Sequence, residues 1–340
     1  MKNAILLLLF TLVVFGCSNK RSTEEGNGSD VLNLYTQRHY AIDKEVFELF
    51  EQQTGITVNV VNAGADELIT RLEQESEERI ADLFYTVDAS RLNRAKQLDL
   101  LQSVETNANP RFSDPENFWH GITYRARVIA YDKEAVDPAE LSTYEDLADE
   151  KWRGKILVRS STSGYNQSLL ASIIYASGET AAEEWAAGVV ANMARTPRGG
   201  DRDQIKAIAA GEGVLAITNT YYVGLLLNSP DPEEVKVGEK VGMYFPNQND
   251  RGAHINVSGI ALLKNAPNKK NALKFIEFLL SEEIQLAYAN GSFEYPTSPD
   301  VAPHPSVAAW GDFTPDRLGF ASDRAYTDQA IRIFDRVGWE

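Results

Sequence analysis

Cysteine is nearly absent from this sequence: Cys17 is the single one among 340 residues. One thiol excludes an intramolecular disulfide and any thiolate-rich metal site. Histidine is scarce too, with four residues, and His120, His254 and His304 each lack the short spacings of a histidine metal motif. No HExxH, no glycine-rich phosphate loop and no nucleophile–base–acid set can be assembled, which argues against an exported enzyme. After the N-terminus no apolar run approaches the length of a membrane-spanning helix. Basic side chains are in the minority, 33 Lys and Arg against 49 Asp and Glu, and the net charge of −16 disfavours nucleic acid as a partner. The same sign suits a cationic ligand, although many secreted proteins are acidic.

The first residues do carry a signal. Lys2 precedes an apolar run from Ala4 to Phe15, and Gly16-Cys17 follows. A basic start, an apolar run of about a dozen residues and a small residue before the break make an export signal. Val14-Phe15-Gly16-Cys17 resembles a bacterial lipobox, so residues 1–16 are expected to be removed and Cys17 to become the lipidated first residue. A polar stretch, residues 17–30, then serves as a flexible tether. The body after it, about 310 residues, exceeds one comfortable core and suggests two domains.

From Asp30 the body alternates short apolar runs with amphipathic stretches. Val31 to Tyr35, Ile56 to Val61 and Asp82 to Val87 are strands by pattern, separated by helices around Val46–Phe50 and Leu68–Leu72. Asp43 is placed to cap the first helix and Gly55 to end it. This β-α-β-α-β order predicts a parallel sheet with helices on both faces. A second cycle has strands at 155–159, 213–218, 241–245 and 257–263, with helices at 166–175, 181–193, 201–211 and 268–280. The fold class is therefore α/β, in two lobes, with the chain crossing between them more than once. Such sheets bind ligands in loops at the carboxyl ends of their strands.

Three stretches follow predicted strands at such ends: Gln37-Arg38-His39-Tyr40, Ser160 to Gln167 with Tyr165 inside it, and Asn219-Thr220-Tyr221-Tyr222. Two adjacent tyrosines at a strand-to-helix junction diverge, so both do not fit one core, yet both can face a shared cleft. A free phenol has a pKa of about 10 and is a poor ligand at neutral pH. A nearby metal cation strips its proton, and the anionic oxygen suits a hard ion such as Fe(III). Most of the other tyrosines, Tyr35, Tyr85, Tyr124, Tyr131 and Tyr175 among them, are expected to serve core or surface packing. Sugar- and polyamine-binding clefts also stack aromatic rings, and His39 by itself is as compatible with a hydrogen-bonded loop as with ligation. The residues alone give a two-lobed binder with a tyrosine-rich cleft.

At these positions the sequence resembles the periplasmic ferric-ion-binding proteins of ABC importers, the Fbp/Fut type. The resemblance spans nearly the whole body and includes Asp82 to Asp88, Arg125 to Lys133, Gly200 to Ala207 and Asn219 to Tyr222. It implies a hinged, class II periplasmic-binding-protein fold. One lobe would hold 31–126 with 250–302, the other 127–249 with 303–340. The resemblance assigns His39, Tyr40, Tyr165, Tyr221 and Tyr222 to the metal; four phenolates around Fe(III) sum to −1, so positive charge behind them would help, and Arg38, Arg202 and His39 are the candidates for it. It implies Fe(III) as the bound ion, with Fe(II) acceptable to a partly protonated shell, and four tyrosines leave little need for a synergistic anion. Partners would be the permease and ATPase of the importer. The protein would be a monomer on the periplasmic side or cell surface, held to the membrane by its N-terminal lipid. The competing reading is a carrier of an organic solute or anion, such as a sugar, polyamine or phosphate.

Overall fold

The computed structural model describes residues 30–75, 79–316 and 324–340. The export signal, Cys17 and nearly all of the tether lie outside them. Within the described residues the strands are β1 (Val31–Thr36), β2 (Thr57–Asn62), β3 (Leu83–Thr86), β4 (His120–Asp132), β5 (Ile156–Leu157), β6 (Leu215–Asn219), β7 (Val241–Tyr244), β8 (Ala253–Leu262), β9 (Tyr295–Pro296) and β10 (Pro315–Asp316). The helices of the first half are α1 (Ala41–Thr54), α2 (Ala65–Glu75), α3 (Ala89–Gln97), α4 (Gly164–Ser177), α5 (Glu179–Asn192) and α6 (Asp201–Ala209). Those of the second half are α7 (Thr220–Leu227), α8 (Pro232–Lys240), α9 (Lys269–Leu279), α10 (Glu282–Ser292), α11 (Pro305–Ala308) and α12 (Arg324–Val337).

β1 pairs in parallel with both β2 and β3, as the βαβ pattern predicts. The sheet does not stay parallel. β3 pairs antiparallel with β8, and β8 pairs antiparallel with β4, so the order β2-β1-β3-β8-β4-β6-β5 is mixed. Asp43 is also corrected: Tyr40 is the N-cap residue of α1, and Asp43 sits at the third helical position, where its carboxylate reaches back to the Tyr40 N–H. Gly55 does end the helix, with φ 73° and its N–H bonded to the carbonyl of Glu51. The strand expected at 155–159 is reduced to Ile156–Leu157.

Apolar side chains cover both faces of each half of the sheet. In the first half, Val46, Phe50, Phe275 and Ile276 pack on one face, and Leu68, Leu72, Leu92 and Trp119 on the other. In the second half, Leu170, Trp185, Ile333 and Phe334 oppose Ile205, Ile208, Val223 and Leu226. β4 belongs to both halves. It pairs with β8 as far as Ala126, and from Arg127 onward it pairs with β6, joined by β7 from Ile129. Where β4 and β8 part, the hydroxyl of Tyr144 donates to the Arg127 carbonyl at 2.5 Å and accepts from the His254 N–H at 3.0 Å. One phenol thus satisfies two backbone groups that have left their ladder, as buried peptide groups require.

The two halves also touch away from the shared strands. Gly224 on α7 faces Phe293 at the end of α10, and a Cβ at 224 would stand 2.7 Å from the Cβ of Phe293. Gly224→Ala would gain roughly 1 kcal/mol of helix propensity. Overpacking costs about 1–3 kcal/mol, so the contact wins. We predict that small-angle scattering of Gly224→Ala shows a larger radius of gyration with lower thermal stability; unchanged values would mean that the contact is slack.

Candidate functional site

β1, β5 and β6 are each followed by a short stretch that starts a helix: α1, α4 and α7. His39, Tyr40, Tyr165, Tyr221 and Tyr222 from these three junctions line a single cleft of about 460 Å³, together with Asp88 and Arg159.

At the first junction Arg38 is buried against Asp43, with Nε and Nη2 both 2.9 Å from Oδ1, and its Nη1 donates to Ser258 Oγ at 2.8 Å. Its guanidinium carbon lies 4.6 Å from the centre of the Tyr40 ring. Since Asp43 also accepts from the Tyr40 N–H at 3.1 Å, the Arg38–Asp43 pair fixes both the ring and the backbone of Tyr40. His39 is exposed at the cleft, with Nδ1 3.3 Å from the Gln37 carbonyl.

At the second junction Tyr165 stands in the first turn of α4. Its loop is tied at the base: Asn166 Nδ2 donates to the carbonyls of Arg159 (2.9 Å) and Ser160 (3.2 Å). The Trp339 indole N–H also donates to the Arg159 carbonyl, at 2.9 Å, and the Ser161 N–H to Glu340 O at 3.0 Å. Arg125, Arg127 and Arg159 place their guanidinium carbons 5.3, 5.7 and 5.8 Å from the Tyr165 ring centre. Arg125 Nη2 is 3.3 Å from the Tyr165 hydroxyl, which can accept from it.

At the third junction Tyr221 and Tyr222 occupy the first turn of α7, their ring centres 4.1 Å apart. Tyr40 meets Tyr221 edge-on at 6.0 Å and 70°, so aromatic rings from the two halves touch across the cleft. Arg202 is placed elsewhere. Its guanidinium pairs with Glu234 between α6 and α8, and it does not line the cleft.

The family model for bacterial extracellular solute-binding proteins matches residues 45–315. The chain belongs to that family. The solute-binding protein is 45% identical over 314 residues to Iron uptake protein A1 of Synechocystis, covering 91% of this chain and 87% of that one. Among solved structures it is similar to a Trichodesmium FutA (IdiA) in complex with iron and citrate, with a TM-score of 0.85, 45% identity, and coverage of 91% of this chain and 100% of that chain. A ferric binding protein from Campylobacter jejuni matches equally well, with a TM-score of 0.85, 43% identity, and coverage of 91% and 100%. The fold is thus the two-lobed, hinged α/β architecture of class II periplasmic binding proteins, and the cleft lies between its lobes.

The phenols of this solute-binding protein feel one another. Burial is the main force holding Tyr40 and Tyr221 well above the ordinary tyrosine range, and negative charge on Tyr165 would raise both further. Tyr222 is pushed up to about 12, by burial first and then by the charges of Asp201 and Tyr165. Arg125 and Arg38 oppose the rise at Tyr40, Arg125 opposes it at Tyr221 and Arg159 at Tyr222. Among the described residues no group of three His, Cys, Asp or Glu side chains is arranged to hold a metal, so any cation here would meet a different donor set.

Sequence patterning missed the cations behind the tyrosines. Arg125 and Arg127 are both fully buried on β4, two residues apart and hence on one face of the strand. Arg125 lies 3.5 Å from Glu294, and Glu294 Oε2 accepts from Thr123 at 2.6 Å. The available signal was two arginines inside an otherwise apolar run, since a buried charge demands a partner.

The raised phenol pKa values predict an alkaline instability. A tyrosine whose folded pKa exceeds its unfolded value stabilises the fold fully below about pH 10, and this stability is lost as pH rises towards the folded pKa. For Tyr222 that window runs from 10 to about 12. Denaturant unfolding should show wild-type stability falling across it, and falling less in Tyr222→Phe; equal slopes would contradict the burial.

Proposed function

We propose that this solute-binding protein captures one ferric ion between its lobes, through tyrosine phenolates, and delivers it to the permease and ATPase of an ABC importer. The observation that carries the reading is that four phenols, Tyr40 from one lobe and Tyr165, Tyr221 and Tyr222 from the other, line one cleft, with Tyr40 against Tyr221 and Tyr221 against Tyr222. Burial keeps Tyr40, Tyr221 and Tyr222 protonated by themselves. A trivalent cation reverses this balance, because its charge favours the anionic form of every oxygen it touches. Hard anionic oxygen in turn favours Fe(III) over softer ions. The likeness to proteins named for iron uptake and ferric binding supports the same reading.

In this proposal His39, exposed at the cleft, joins the phenolates around the ion, and Arg38 with Arg125 supplies positive charge behind them. Arg202 has no direct part, given its pairing with Glu234. A partly protonated shell also accepts Fe(II). The lobes divide into residues 31–126 with 250–302, and 127–249 with 303–340; the change of β4 partners after Ala126 supports the first boundary. The protein acts as a carrier rather than an enzyme. It works outside the cytoplasm as a monomer, anchored by lipid on Cys17 after removal of residues 1–16. Iron binds without an obligatory synergistic anion, so a titration in citrate-free buffer should still saturate.

Two measurements test this. The iron-loaded protein should be coloured by phenolate-to-Fe(III) charge transfer, and the double variant Tyr221→Phe/Tyr222→Phe should lose the band. A colourless wild type that ignores ferric citrate in calorimetry, while binding a sugar, polyamine or phosphate, would overturn the iron reading. Because phenols must lose protons to bind, affinity should fall on acidification by about tenfold per pH unit for each proton released. A titration whose affinity stays flat between neutral and mildly acidic pH would rule out the phenolate shell.

A further inference from the structure

Arg127 lies fully buried near the middle of β4, and its guanidinium serves three separate segments of one lobe. Nη1 donates to Asp201 Oδ2 at 2.6 Å and to Asn219 Oδ1 at 3.2 Å, and Nη2 donates to Asn166 Oδ1 at 2.7 Å. Asn166 follows Tyr165 directly. Asn219 is the N-cap residue of α7, whose first turn carries Tyr221 and Tyr222. Asp201 opens α6 and also accepts from the Asn219 backbone N–H at 3.2 Å. The other side of Asn166 holds the Arg159 and Ser160 carbonyls, so the Tyr165 loop is connected to the same hub.

The neighbours of Arg127 along the strand, Ala126, Val128, Ile129 and Ala130, are apolar and buried. A buried ion pair is costly to desolvate, and well-packed apolar residues often serve stability as well or better. Geometry gives the arginine a clearer purpose. A planar fork can hold acceptors on several segments at fixed angles, which an ammonium cannot. Ligand atoms drawn from different loops must be held to within about half an ångström for a metal site to be tight.

We propose that Arg127 is a positioning residue that sets Tyr165 against Tyr221 and Tyr222 before the ion arrives. This rests on the ligand set proposed above. In it Arg127 touches no iron; it acts through Asn166 and Asn219.

The test compares Asn166→Leu and Arg127→Lys with Tyr165→Phe in the whole protein. It reads the visible iron band, the ferric ion affinity, and the melting temperature without iron. Asn166→Leu leaves Arg127 its bonds to Asp201 and Asn219 but removes the three hydrogen bonds of Asn166, so iron-free melting should fall by a few degrees, no further than in Arg127→Lys, with the protein still folded. Affinity should still fall about 10–100-fold, as for other groups that orient metal ligands. The band should move towards that of Tyr165→Phe. Arg127→Lys keeps the charge beside Asp201 but loses the fork, and should shift band and affinity the same way. The positioning role is overturned if both variants keep the wild-type band and affinity while Tyr165→Phe changes them. It is also overturned if their loss of affinity simply tracks a loss of melting temperature. A wild-type band that ignores Tyr165→Phe would instead overturn the ligand set.

Discussion

Burial holds three phenols of the cleft in their neutral form, and the charge of their neighbours adds to that resistance. Burial already favours the neutral form of Tyr40, Tyr221 and Tyr222, and each additional negative charge makes the next one harder to form. The surrounding guanidiniums soften the penalty without removing it. Buried Arg127 and partly exposed Arg159 both face Asp201, at 2.6 and 3.8 Å, so this one carboxylate meets two guanidiniums beside the phenols. A site arranged in this way is poised: neutral and closed to ionisation alone, anionic once a strong cation supplies the missing attraction.

The scaffold makes that arrangement repeatable. Tyr40 is held by the Arg38–Asp43 pair, which belongs to the start of α1. The loop that carries Tyr165 is tied at the Arg159 carbonyl by Asn166 and by the indole of Trp339. Phenols from opposite lobes can therefore meet with little side-chain freedom left to lose, which is where preorganised sites gain affinity.

Much of the cleft's lining was legible in the chain because its residues are locally odd. Tyr221-Tyr222 at a strand-to-helix junction invites a question that no core position answers, and Tyr40 and Tyr165 fall at equivalent junctions. The parallel β1, β2 and β3 were readable from alternating strand and helix patterns. β4 was not. It is buried over nearly its whole length on both faces, so the alternation that marks a half-exposed strand is missing. α7 was obscured similarly, being apolar almost all round. Asp43 looked like a cap because its side chain does bond a helix-terminal N–H, but from inside the helix. Arg125 and Arg127 on alternate positions look like a solvent face until Glu294, Asp201 and Asn166, all distant in sequence, are brought against them. Arg202 was misleading for the converse reason: its sequence neighbourhood lies near the site, while its side chain has Glu234 to satisfy it.

β4 carries the chain from one half of the sheet to the other without leaving a ladder, and Tyr144 stitches the place where β4 and β8 diverge. A bend at that point twists a ribbon that is already hydrogen-bonded on both sides of Ala126. A strand crossing of this kind adds little chain entropy to the cost of bending there, because its backbone is already ordered. The motion resembles flexing a leaf spring, stiff in every direction but one, and cargo need only supply enough attraction to hold the spring deflected.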